Sequence, residues 1–525
     1  MKYSGFCAGF IRPSLGLKRV FGVFLFITSL IGAGLFAAES QTNRSDEVRR
    51  MIKQARKLTR AGSIPGAEVI LRRAVELDSG RSDAKVELAF VLTKQRKLLE
   101  AYKVVYAVAE VEPKNARAFA VLGSVLLTAG RFIEARAIFF TALKLKRDEG
   151  LAWAGFGMLD FYENRIDESL SNLQEAVYHQ PDEPDFWFAL AQVSARAEKY
   201  REAAEAYNRF LSISSSTDAD RRARIKGLIE FLNFIGHKEG LYYSSGAEKT
   251  AIGFDLVGNR PIIKLRINGG EPLRFVLDTG SGITVISDDT AKRLKIKAIT
   301  HGGFARGIGG DGKFEIVYGF LRNIQIGEVT VRNIPVYIRK FHSDQQDVDG
   351  YIGLALISKF LATIDYGSKT FTLFKKDDDH SVDRDTALSL PLRLTSSGFL
   401  SGEVQLEGIP TMLNFIVDTG ASVSVISDLV ASNSAISPFA NQERLRVIGS
   451  AGVTDDVPTF MLPMVTFGQH SRKQIVAIAL DLDIINEASG FEQAGILGGN
   501  FLKNYRLTFD FKNSKVLFTS INPEK

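Results

Sequence analysis

"FVLDTGSGITVIS", Phe275 to Ser287, returns almost unchanged as "FIVDTGASVSVIS", Phe415 to Ser427. Each copy drives an apolar run into an aspartate and follows it at once with Thr-Gly. Asp278 and Asp418 therefore occupy equivalent settings 140 residues apart (418 − 278). A carboxylate set in apolar sequence is costly unless it is paired or hydrogen-bonded, so the repetition calls for a reason that involves both. Landmarks further along keep the same register. A strand-like run with a glycine turn follows each aspartate, Gly327 after 49 residues and Gly468 after 50. An apolar pair and a glycine come next, Ile352-Gly353 after 75 and Leu497-Gly498 after 80. From those glycines to Asp365 and Asp510 the distance is 12 in both copies. Short β-branched and aromatic runs bounded by glycine read as strands. The shared register predicts two copies of one all-β plan, lobe 1 over 252–374 and lobe 2 over 388–520, joined by an acidic linker at 375–387.

These motifs, apolar-apolar-Asp-Thr-Gly-Ser/Ala, a Gly-rich hairpin and a later apolar-apolar-Gly, resemble the aspartic peptidase fold, in particular retropepsin-like lobes. The resemblance covers about 252–520, and both half-sites lie in one chain, as in the bilobed pepsins. It implies that Asp278 and Asp418 form a catalytic dyad at the interface of two lobes that pair within the chain, acting on a polypeptide substrate without a cofactor. Gly280 and Gly420 permit a tight turn under each carboxylate, and Thr279 and Thr419 are expected to cross-link the two loops by hydroxyl-to-backbone bonds. Gly353 and Gly498, with Ile352 and Leu497 before them, would let an apolar strand pass beneath. Two carboxyls in contact cannot both ionise, so the pair holds one proton. Ser281 stands beside Asp278 where Ala421 stands beside Asp418, and a hydroxyl bond to Asp278 would make Asp278 the charged partner.

The segment "RGIGGDGKFEIV", Arg306 to Val317, has glycines at dinucleotide-fingerprint spacing, but an alternating strand pattern follows where that motif needs a helix. Gly307, Ile308, Gly309 and Gly310 instead read as the tip of a substrate-covering hairpin. Its weaker counterpart is "VIGSAGVTDD", Val447 to Asp456, with Gly449 and Gly452. Neither has a flap tyrosine of the pepsin kind.

The first half has a different rhythm. Ala55, Ala89, Gly123, Gly157 and Ala191 are spaced by 34, and Ala67, Ala101, Ala135, Ser169 and Ala203 run in step with them. Phe119, Trp153 and Trp187 repeat likewise. Small residues at fixed spacing mark helices that approach closely in a stack of hairpins. The pattern resembles tetratricopeptide repeats, five of them from about 48 to 217, with Lys85 disturbing the second. Residues 218–236 would cap the open end, giving an all-α solenoid over 48–236 ahead of the all-β bilobed half. The family implies a groove for a protein partner or substrate; a rigid spacer is the alternative.

Val20 to Ala38 form an apolar run of 19 residues behind Arg12, Lys18 and Arg19. Residues 1–38 thus read as a cleaved signal peptide or a retained membrane anchor, both readings placing the body across the cytoplasmic membrane, in the periplasm or facing the exterior. Cys7 is the only cysteine, which excludes an internal disulfide or a thiol nucleophile in the body. A net charge of +6 spread over 525 residues forms no block that would track nucleic acid. His179, His237, His301, His342, His380 and His470 make no HExxH, the acidic run around His380 reads as a solvated linker rather than a metal site, and no GxSxG elbow occurs. The sequence reads as an exported aspartic endopeptidase with a partner-binding solenoid; a catalytically silent peptide-binding module or an envelope scaffold on the same folds are the alternatives.

Overall fold

The computed structural model describes residues 44–215, 218–310, 312–341, 348–375 and 388–521. The apolar run of residues 20–38, Cys7, His342 and the acidic linker with His380 lie outside them. Among the described residues, no helix is long and apolar enough to cross a membrane.

Eleven helices come first among these residues: α1 (44–60), α2 (Ile64–Leu77), α3 (Ser82–Lys94), α4 (Leu98–Val111), α5 (Ala116–Thr128), α6 (Phe132–Leu145), α7 (Gly150–Tyr162), α8 (Ile166–His179), α9 (Pro184–Arg196), α10 (Tyr200–Ile213) and α11 (Ala219–Gly236). From α3 to α9 the first helix of each pair starts 34 residues after the last, and so do the second helices from α2 to α10. The small residues of the repeat are the contact points. Ala55, Ala67, Ala89, Ala101, Ala135, Ala191 and Ala203 are wholly buried, and Gly123 lies against the Phe139 ring. Ser169 keeps its hydroxyl satisfied in that tight space by donating to the Gly157 carbonyl at 2.7 Å. The second repeat is as regular as the others. Lys85 lies near the start of α3, where the helix continues with Ala84, Val86, Leu88 and Ala89 buried, so the departure is absorbed without distorting the stack.

Strands begin at Tyr243–Gly246, earlier than expected. That polar strand pairs with Val329–Arg339, and Lys249–Gly253 pairs with Thr370–Lys375. The sheets of lobe 1 therefore draw on residues ahead of 252, its expected start. The edge strand "YSSG" has no buried residue, and this removes the alternation by which a strand is recognised. Lobe 1 forms a nine-stranded sheet and lobe 2 an eight-stranded one, and a third sheet of six strands draws from both. In that third sheet Phe360–Asp365 lies antiparallel to Tyr505–Asp510. The equal spacings of the sequence thus end in the two strands that bind the lobes together, and Arg506 Nε donates to Asp365 at 2.9 Å across the seam.

The solenoid docks on the lobes by its turns. After the first helix of each of four pairs one residue takes a left-handed conformation, a common helix stop: Arg96, Gly130, Asn164 and Glu198, with φ of 58°, 74°, 59° and 62°. Each meets the second half of the chain. Arg96 Nε donates to Glu492 at 3.0 Å, Gly130 abuts Asn414, Asn164 Nδ2 donates to the Phe511 carbonyl at 3.3 Å and Glu198 pairs with Lys359. Phe491, from lobe 2, is fully buried in the solenoid's own core, 4.9 Å from the rings of Phe132 and Tyr162.

Candidate active site

In each lobe the aspartate loop leaves one strand and returns in another, with a third strand between them. Pro272–Leu277 and Leu413–Val417 carry the chain to the aspartates, and Gly350–Ile352 and Gly495–Leu497 run parallel beside them. The Asp278 and Asp418 amides donate to the carbonyls of Ile352 and Leu497, both at 3.0 Å. Gly353 and Gly498 follow at once, each pressed against the carbonyls of the opposite limb of its own loop.

The two loops meet with near twofold symmetry. Thr279 Oγ1 donates to the Val417 carbonyl at 2.6 Å and accepts from the Thr419 amide at 3.0 Å. Thr419 Oγ1 donates to the Leu277 carbonyl at 2.6 Å and accepts from the Thr279 amide at 3.2 Å. Both threonines are fully buried, so these four bonds replace water completely for both hydroxyls. Each carboxyl lies over the other loop's glycine. A methyl at position 280 would strike Asp418, and one at 420 would come within 2.7 Å of the Asp278 Cγ. Asp278 and Asp418 are thereby brought within hydrogen-bonding reach of each other.

Their protonation is unequal. Burial, then the Asp418 charge, push Asp278 well above the usual carboxylate range. Burial also raises Asp418, but it is opposed by the bond from Asp278 and by backbone N–H groups; the Gly420 and Ala421 amides donate to Asp418 Oδ1 at 2.7 and 3.1 Å. Only the Gly280 amide, at 2.9 Å, serves Asp278 in the same way. Both carboxyls are raised, and the extra amide on Asp418 favours the proton on Asp278 and the charge on Asp418. This reverses the assignment drawn from Ser281, whose hydroxyl donates to the Ile283 carbonyl at 2.8 Å instead of to Asp278. Ala421 has no hydroxyl but supplies the decisive bond through its backbone.

Both glycine-rich segments are hairpin tips. Thr300–Arg306 turns at 307–312 into Lys313–Ile326, and Ala440–Ile448 turns at 449–452 into Val453–Phe467. The tips bond to each other, Ala451 N to the Ile308 carbonyl at 2.8 Å and Gly310 N to the Val453 carbonyl at 3.1 Å. Gly309 and Gly310 have φ of 91° and 57°, conformations that a side chain would strain. Helix α11 closes the end of the stack against α10, as expected, sharing a core of Ala203, Tyr207 and Phe210 with Ile225 and Leu232, and it also packs on the lobe-1 hairpin. Phe231 stacks on Tyr318 at 4.4 Å, Arg224 Nη1 donates to the Phe304 carbonyl at 3.0 Å, and Gly227 touches the backbone of His301 and Gly302.

Beneath the tips lies a cavity of about 1720 Å³ lined by both aspartates, both hairpins and residues of α7, α9, α10 and α11. Sequence reasoning missed Arg260, Arg339 and Tyr351 of this lining. Arg339 and Tyr351 sit at strand positions fixed by long-range pairing, Arg260 follows a two-residue turn and pairs with Val257, and no motif read from the sequence marks any of the three.

Residues 263–356 and 402–501 match a family model described as Aspartyl protease, and residues 155–219 match one described as Tetratricopeptide repeat. No curated protein matches the chain. Solved structures similar to it include TTC0263, a thermophilic TPR protein of Thermus thermophilus, at 17% identity over 35% of this chain and 98% of that one, with a TM-score of 0.30. Another is pilF of Pseudomonas aeruginosa, at 19% identity over 37% and 86%, with a TM-score of 0.28.

Proposed function

We propose that this chain, which carries an aspartyl protease domain behind tetratricopeptide repeats, is an endopeptidase that hydrolyses peptide bonds by general acid–base catalysis at Asp278 and Asp418. The observation that carries this reading is the buried pair of carboxyls in mutual hydrogen-bonding reach, locked by the four threonine bonds and open to a cavity large enough for an extended peptide. Ionised Asp418 takes a proton from water held between the carboxyls, and that water attacks the scissile carbonyl. Protonated Asp278 donates to the carbonyl oxygen as it becomes the tetrahedral hydroxyl. Collapse of this intermediate returns a proton to the leaving amine, and no acyl-enzyme forms.

The solenoid's share of the cavity wall supports a role in orienting the substrate. Export, signalled by residues 1–38, belongs to the same proposal, and protection from added protease in intact cells but not in cells with a permeabilised envelope tests it. Cleavage of casein, abolished by either Asp278→Asn or Asp418→Asn, is the expected outcome for the reaction. Retained cleavage in both variants would exclude the dyad.

A further inference from the structure

The two lobes share a backbone plan but line the cavity with different chemistry, and the strand register pairs the differing residues. In lobe 1 Ser287 stands beside Arg339; at the matching place in lobe 2 Ser427 stands beside Leu480. Tyr351 lies beside Val276, and Ile496 beside Ile416. Ile262 pairs with Val276 two residues after Arg260, as Ser401 pairs with Ile416 two residues after Phe399. Lobe 1 thus presents Arg260, Arg339 and Tyr351 where lobe 2 presents Phe399, Leu480 and Ile496. All six line the same cavity as the aspartates, and the three from lobe 2 belong to one apolar cluster.

Among the described residues neither arginine forms an ion pair. The Nε atoms of Arg260 and Arg339 are buried without a hydrogen-bond partner among the described residues. Elsewhere in the lining Arg306 pairs with Glu487 at 3.6 Å and Lys359 with Glu198, and Arg196, whose Nη1 is also unpartnered, donates through Nη2 to the Thr395 and Ser396 carbonyls. Tyr351 lies close enough to both arginines and both aspartates for all four to act on its phenol, so the cations belong to the neighbourhood of the reacting bond. Arg339 also faces the hairpin, its Cζ 5.5 Å from the Phe314 ring. Burial pushes the Arg339 guanidinium down, with Tyr351 and Asp278 only partly offsetting it. A guanidinium stays charged under such a shift, and an Nε–H buried without a partner is costly.

Resting on the endopeptidase reading, we propose that Arg260 and Arg339 form a carboxylate-binding subsite beside the dyad, so that the enzyme cleaves next to an acidic residue seated on lobe 1, with an apolar residue seated on lobe 2. A planar guanidinium matches a carboxylate with two parallel bonds. A site built for such bonds rejects a neutral isostere because its own groups are then left unpaired.

The test uses the full chain and paired peptides that differ only by Glu or Gln beside an apolar residue at the cut. Wild type is expected to favour Glu at least tenfold in kcat/KM, mainly through KM. Arg260→Gln and Arg339→Gln should each shrink the ratio, and Arg339→Glu should turn the preference toward a Lys peptide. Anisotropy of the labelled peptides on Asp278→Asn reads the same preference as binding. Cleavage by wild type without Glu preference overturns the subsite and spares the endopeptidase. Glu-selective binding without cleavage by wild type sustains the subsite and sinks the endopeptidase reading. A preference that survives in folded arginine variants assigns it elsewhere and overturns the proposal.

Discussion

At the scale of single residues, the two halves of the dyad differ in the backbone amides that serve them. Asp418 accepts from Gly420 and Ala421, and Asp278 only from Gly280. The proposed reaction needs one proton on the pair, so activity is expected to fall at low pH as the pair takes up a second proton and at high pH as it loses the first. Burial and the neighbouring charge raise Asp278, which moves the alkaline limb above the ordinary carboxylate range; the two steps belong to the pair. Ser281→Ala should leave both limbs of the kcat/KM profile in place and lower stability by about 1 kcal/mol through the lost bond to Ile283, read from urea melts beside the profile. A displaced limb would mean that the hydroxyl reaches the dyad in solution. The aspartates, threonines and glycines were legible because the Asp-Thr-Gly motif occurs twice. The charge assignment was not, because a backbone amide at 421 is invisible in the residue name.

Among elements, the hairpins and the repeat helices were legible from local pattern, glycine clusters in one case and a period of 34 in the other. What they pack against was not. Helix α11 has the composition of a solvent-facing cap, yet its Gly227 lies on the strand Thr300–Arg306 with room for hydrogen alone. A branched side chain there must push the strand away, and such overpacking costs roughly 1–3 kcal/mol. Gly227→Val should therefore speed proteolytic nicking at 307–312 while nicking at 449–452 rises less. Equal rates at both tips would show that α11 does not restrain the first hairpin.

For the whole molecule, the division into an α half and a β half could be read from the change of period near residue 250, but the union of the halves could not. It depends on turn residues 34 apart facing one way and on Phe491, a lobe-2 residue buried in the solenoid's core. Phe491→Ala should destabilise by about 3–5 kcal/mol and split a single calorimetric transition into two; one sharp transition at the wild-type Tm would contradict the shared core. The seating of α11 on one hairpin has its own corollary. A gate with twofold symmetry has two interchangeable leaves, but here one is bolted to the solenoid through Phe231, Arg224 and Gly227. On the endopeptidase reading, opening is then expected to be one-sided, with the lobe-2 leaf moving further than the anchored one.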